Sequence, residues 1–99
     1  MDESETAKSL LSQFLERSSR QLNALPDLVK EKNWEEARRI AHTIKGTAKT
    51  LSGMELGNAA AVLEKAYLNI DTKKMEADLS VVAKAFERFK SASKEFLQQ

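Results

Sequence analysis

The sequence predicts an all-α protein, an antiparallel four-helix bundle with an exposed histidine on its second helix. Three glycines and one proline in 99 residues leave little material for turns, and no segment alternates with period two over a useful length. Apolar residues recur instead at three- and four-residue spacing, in four blocks separated by short polar breaks.

The first helix is expected from about Ser4 to Glu31, with Leu11, Phe14, Leu22, Leu25 and Val29 on one stripe. Pro26 should kink or break it near Leu25, because proline removes an amide donor and crowds the preceding turn. Asn33 with Glu36 three residues on makes a capping-box pattern and starts a second helix, from Trp34 to about Thr50. Trp34 then reads as a half-buried lid on the loop end. Ser52 with Glu55 repeats the capping pattern, and Leu56, Ala60, Leu63, Tyr67 and Ile70 form the stripe of a third helix. Gly57, Ala59, Ala60 and Ala61 should let that helix approach the second closely. Asp71 or Thr72 caps a fourth helix, whose Met75, Leu79, Val82, Phe86, Phe89 and Phe96 keep the rhythm to the end and read as core. Loops of about two to four residues make neighbouring helices antiparallel, with the first helix free to pack partly as a cap.

This length is one domain, 1–99, large enough for a single core. Charged residues make up 31% and the net charge is +1, which gives no bulk attraction to nucleic acid, so electrostatic specificity must be local. There is no cysteine, which excludes disulfides, thiolate metal sites and thiol nucleophiles and fits a reducing compartment. The longest apolar run, Ala59 to Leu63, is far short of a membrane span, and Met1-Asp2-Glu3-Ser4-Glu5 is acidic where a signal peptide would be basic. A cytoplasmic protein, or an excised cytoplasmic domain, is expected.

His42 is the single imidazole, in the run Ala41-His42-Thr43-Ile44-Lys45-Gly46-Thr47-Ala48. At 100° per residue, Ile40 and Ile44 point about 160° away from it, and with Ala37, Ala41 and Ala48 they define the buried face. Glu35, Arg38, Arg39, Lys45, Gly46 and Lys49 lie within about 60° of the histidine, so the ring is centred on a strip with four cations and one missing side chain. A solvent-facing neutral imidazole is a nucleophile and phosphoryl acceptor as well as an acid or base. The neighbours favour the acceptor role. A phosphoryl group brings close to two negative charges, toward which Lys45, one turn on, can reach as a donor. Gly46 leaves room for a second protein to approach, and its cost of about 1 kcal/mol relative to alanine asks for such a reason. Taken singly, an exposed histidine, a cationic face and a helix glycine are each ordinary features of a solvated surface. Their joint occurrence on one strip is what singles it out.

His42-Thr43-Ile44-Lys45-Gly46 resembles the H-x-x-K-G core of histidine-containing phosphotransfer (HPt) domains. Ala41, Thr47-Ala48, the turn glycine Gly53 and the Leu63-Glu64 pair also sit where that family tends to have an alanine, small residues, a glycine and an L-E pair, so the likeness covers roughly residues 10 to 70. The resemblance implies a four-helix bundle that carries a phosphoryl group on His42 between aspartates of receiver domains, with Lys45 steadying the phosphoryl and Gly46 giving clearance. It also implies receivers of response regulators or hybrid histidine kinases as partners, no cofactor on this chain, and Mg²⁺ on the partner receiver. Arg38, Arg39 and Lys49 would face the receiver. Lys49 departs from the small residue that many members have there, which bears on which receivers can dock. Direct phosphorylation by a kinase catalytic domain, as in chemotaxis kinases, is a less favoured variant.

Other chemistries lack their parts. There is no glycine-rich loop or P-loop for intrinsic kinase activity, so the phosphoryl donor is external and the chain is a carrier rather than an enzyme. One histidine among lysines and arginines does not make a zinc site, and nothing marks a serine or an orienting acid for triad catalysis. Four cations without interleaved aromatics are a weak nucleic-acid footprint, and neither nucleic acid nor membrane is an expected partner. The rival function is a non-transferring helical adaptor that binds a receiver or other signalling partner through the same face; a generic bundle module is a third.

Overall fold

The structure, a computed structural model, describes residues 2–99; Met1, the first position of the expected 1–99 span, lies outside the described residues. Four helices fill it: α1 (Glu3–Lys30), α2 (Trp34–Thr50), α3 (Met54–Leu68) and α4 (Thr72–Leu97), with no strand among the described residues. Three-residue loops reverse the chain each time. The packed pairs are α1 with α2, α2 with α3, α3 with α4 and α4 with α1, which closes an antiparallel four-helix bundle.

All three loops end their helices in the same way. Lys32, Ser52 and Ile70 adopt left-handed φ values of 58°, 64° and 49°. The amides of Asn33, Gly53 and Asp71 then donate to the carbonyls of Leu28, Ala48 and Ala66 at 2.8, 2.7 and 2.9 Å, the Schellman arrangement. This geometry overrides three sequence expectations. Ser52 belongs to the turn and does not cap α3; Gly53 stands at that N-cap, with no side-chain bond. Ile70 falls past the end of α3 and is exposed, so the buried stripe stops at Tyr67. Asp71 is the N-cap of α4 by position but makes no side-chain cap bond.

At the other helix starts, the Asp2 carboxylate accepts from the Glu5 amide at 2.8 Å and the Asn33 side chain accepts from the Glu36 amide at 3.3 Å. The reciprocal half of the Asn33 capping box is missing because Glu36 pairs with Arg39. The break expected at Pro26 does not occur. Pro26 is exposed, so water can take up the carbonyl that its missing amide leaves unpaired, and α1 runs on to Lys30.

The predicted face of α2, Ala37, Ile40, Ala41, Ile44 and Ala48, is buried against Leu56, Ala60, Leu63 and Tyr67 of α3, Leu25 of α1, and Val82 and Phe86 of α4 in one core. Trp34 is half-buried at its edge, as expected. Ala61 does not join the close approach of α2 and α3; it lies on an outer groove. With 28 and 26 residues, α1 and α4 outrun α2 and α3, giving a molecule 44 × 19 × 18 Å. Phe14 meets Phe89 edge to face at 5.7 Å, and near the far end Lys8 lies 6.0 Å from the Phe96 ring and donates to the Gln99 carbonyl. Phe89 and Phe96 are therefore only partly buried, unlike Phe86. No helix among the described residues is long and apolar enough to cross a membrane.

Candidate functional site

His42 projects from the solvent side of α2, its side chain 61% exposed. Because α3 runs antiparallel alongside, Glu64 comes level with it: Oε2 lies 2.7 Å from His42 Nδ1, and Oε1 accepts from Lys45 Nζ at 2.6 Å. Burial would raise the Glu64 carboxyl, but hydrogen bonds from Lys45 and His42, with their charges, outweigh it and hold it below the ordinary range. Glu64 is thus an ionised carboxylate that only accepts. Nδ1 must carry the hydrogen of its short contact, which leaves the lone pair of the neutral ring on Nε2.

This cluster corrects two expectations. An orienting acid does lie in reach of the histidine, and Lys45, expected to point toward an incoming phosphoryl group, rests on Glu64. Glu64 follows the buried Leu63 and precedes the buried Tyr67 by three residues, so it sits at the rim of the α3 stripe. Glu64 enters the motif likeness only as half of the Leu63-Glu64 pair, with no role attached; an acid at such a rim, one helix away from the only histidine, is the signal that could have given it one.

The other predicted residues separate. A Cβ built at Gly46 meets nothing within 4 Å, so that flank of the ring is open space. Lys49 lays its stem across α3, where a Cβ at Gly57 would come within 2.7 Å of Lys49 Cγ. A large residue on α2 is thus matched by an absent one on α3. Arg39 is paired with Glu36 through Nε at 3.1 and 3.0 Å, and Arg38 borders the same shallow groove, beside Asn33 and Glu35. Arg38 and Arg39 lie on the turn preceding His42, and Lys49 on the second turn after it.

An ionised acid on a ring nitrogen, a lysine on the same acid and an open flank fit group transfer to Nε2 better than hydrolysis, since no serine hydroxyl joins the cluster. No curated protein and no solved structure shows a significant match to the chain. A family model, the Hpt domain, matches residues 9–99, beyond the 10 to 70 over which the motif likeness extends. The match spans nearly the whole bundle and includes the histidine, lysine, glycine and glutamate described above, and the chain belongs to the Hpt domain family, which carries out histidine phosphotransfer in phosphorelay signalling.

Proposed function

We propose that His42 is the phosphoacceptor of a phosphorelay, taking a phosphoryl group from the aspartyl phosphate of one receiver domain and passing it to another. The observation that carries this is the Glu64 contact, which holds Nδ1–H and leaves an exposed Nε2 as nucleophile. Nε2 attacks phosphorus; the Nε2–P bond forms as the P–O bond to the aspartate breaks, and the aspartate leaves as a carboxylate. The positive charge that develops on the ring faces Glu64, and Nδ1 keeps its proton. Mg²⁺ is expected in the receiver's own acidic site, where it neutralises the leaving oxygens.

Lys45 begins on Glu64, one helical turn from the ring. The phosphoryl group arrives with about −1.5 to −2 of charge and competes with Glu64 for that ammonium, so Lys45 steadies the phosphorylated state by changing partner. Gly46 gives clearance on the open flank, and Arg38, Arg39 and Lys49 face the receiver's acidic rim.

The test is incubation with a panel of phosphorylated receiver domains, followed by intact-mass analysis. One added phosphoryl group, acid-labile and base-stable as a phosphoramidate is, should appear on the wild type. It should be absent from His42→Gln, whose stability should change by no more than about 0.5 kcal/mol because the position is exposed. Labelling of His42→Gln at the wild-type level refutes the assignment. A His42→Gln variant that still binds receivers and supports signalling would favour an adaptor instead.

A further inference from the structure

Lys49 stands seven residues after His42, about 20° around α2 and about 10.5 Å along its axis. Helical side chains lean back over the turn before their own Cα, which for Lys49 is the turn of Lys45 and Gly46. A lysine left to that tendency would lie in front of the ring, across the flank that Gly46 opens. The structure shows otherwise: no Lys49 atom comes within 4 Å of the position that a Cβ would take at Gly46.

The stem is laid sideways onto α3 instead. A Cβ at Gly57 would come within 2.7 Å of Lys49 Cγ and 3.4 Å of Lys49 Cε, so the methylenes run through the space that a side chain there would fill. Gly57 is the residue that α3 offers at that level. Seven residues separate it from Glu64, as seven separate Lys49 from His42, and in antiparallel helices the two contacts fall on one seam. The backbone does not exclude a side chain at Gly57: the same Cβ would lie 3.5 Å from the Lys45 carbonyl oxygen, an ordinary contact, and the lysine alone stands in its way. Nor does charge hold the lysine, since no ion pair among the described residues includes it. Lys49 is exposed and Gly57 buried, and packing in that slot is what keeps one on the other.

We propose that Gly57 is a positioning residue for phosphoryl transfer, acting through Lys49: the empty slot on α3 takes the lysine stem aside and keeps the approach to His42 clear. The proposal rests on the carrier function stated above. It explains how a long side chain stands where many members of the family have a small one, and it moves the Lys49 charge from in front of the ring to its α3 side. Lys49 Cγ is placed by χ1 alone, and a helix leaves lysine two χ1 wells. A methyl group on Gly57 closes the well that lies on α3, and the stem turns back over Lys45 and Gly46, toward the ring.

Gly57→Ala, alone and in a Lys49→Ala background, tests it. The probes are a receiver from the panel that labels the wild type, and phosphoramidate, a donor small enough to pass a displaced lysine. For Gly57→Ala the ratio of receiver transfer to phosphoramidate labelling should fall about fivefold to tenfold, the scale of immobilising one long side chain at an interface. In the Lys49→Ala background the same substitution should leave that ratio within about twofold, because there is no stem to displace. An unchanged ratio for Gly57→Ala, or an equal fall in both backgrounds, overturns the proposal. So does a fall of both donors together, which would mean that the methyl group disturbs the contact of Glu64 with His42 and not the approach. Nuclear Overhauser contacts between the Lys49 methylenes and the Gly57 α-hydrogens check the placement of the stem on the wild type; their absence overturns the proposal whether or not the variants fold. If neither donor labels the wild type, the carrier function itself fails and the positioning role falls with it.

Discussion

Between α2 and α3 the buried side chains are mostly short: Ala37, Ala41 and Ala48 on one helix, Ala59, Ala60 and Gly57 on the other, with Lys49 laid across the glycine. At the α2–α3 loop and beyond it the packing is aromatic, Phe14 edge-on to Phe89 beside Gly53 and Phe96 beneath Lys8 where α1 and α4 run on. Short side chains bring helix axes to the near end of their 8–10 Å range, while rings hold them apart. The consequence for function is reach. Glu64 spans from α3 to His42 at 2.7 Å, over backbones that the small residues beneath let approach. The aromatic end instead leaves an open apolar groove of about 470 Å³ among Leu11, Leu51, Phe89 and Phe96.

The contrast predicts unequal costs of truncation. Leu63, 1% exposed between α2 and α3, should lose about 2–5 kcal/mol as Leu63→Ala, because a close-packed site cannot collapse to fill the void. Phe96→Ala removes a larger side chain from a half-open one and should cost less than about 2 kcal/mol. Urea denaturation of both variants measures this, and equal losses would break the comparison.

Glu64→Gln sharpens it at the site. The carboxylate accepts from Lys45 and from His42 at once, one oxygen each. An amide has a single oxygen; if Lys45 keeps it, the NH₂ turns to Nδ1 and forces the ring hydrogen onto Nε2, the atom meant to attack. Transfer should slow by about tenfold to a hundredfold, or about 1.4–2.7 kcal/mol, well short of the loss seen when such a bond is buried away from water. A pH series adds a sign. Because the folded-state pKa of Glu64 is depressed, its contribution to stability is present above the ordinary value of 4.5 and is lost as pH falls below it, so the wild type and Glu64→Gln should converge in acid. Unchanged transfer rates would leave Glu64 a structural residue only.

Gly46 should act through space. Gly46→Ala should gain roughly 0.8–1 kcal/mol of stability from helix propensity, since the new Cβ meets nothing. Gly46→Gln, which fills the open flank, should slow receiver transfer while leaving the fold intact. Melting curves and transfer rates on both variants check this; Gly46→Gln transferring at the wild-type rate would remove the clearance role.

The parts legible in the sequence are those that a single helix determines. Periodicity alone gives the buried face of α2, and with it the exposure of His42 and the open side of Gly46. Relations between helices were legible only in part: the small residues Gly57, Ala59 and Ala60 announced the close approach of α3 to α2, but not which side chain would meet the ring. The four cations counted around His42 all lie on its own helix, whereas the group in closest contact with the ring comes from α3, 22 residues on, and no spacing rule within one helix reports it. The turns failed for a related reason. Ser52-x-x-Glu55 satisfies a capping pattern, but the same serine is needed to end α2, and the Schellman bonds that close the loop prevail over one side-chain cap.

Those turns provide the smallest expected effect, and a second comparison. Ile70 holds a left-handed φ of 49°, a conformation that costs a β-branched L-residue about 1–2 kcal/mol, and its side chain is 51% exposed, so little burial offsets that cost. Ile70→Gly relieves the strain and loses part of the gain to the greater entropy of the unfolded chain, for a net stabilisation of about 0.5–1 kcal/mol. At the α2–α3 loop the glycine stands one position later, at Gly53, where φ is −85° and a Cβ would come within 2.8 Å of Phe89 Cε2. Gly53→Ala should therefore destabilise, because that glycine makes room for a ring and is not needed for its backbone angles. Thermal melts of the two variants should move in opposite directions. A fall in Tm for Ile70→Gly would mean that its exposed side chain contributes more than the backbone strain costs.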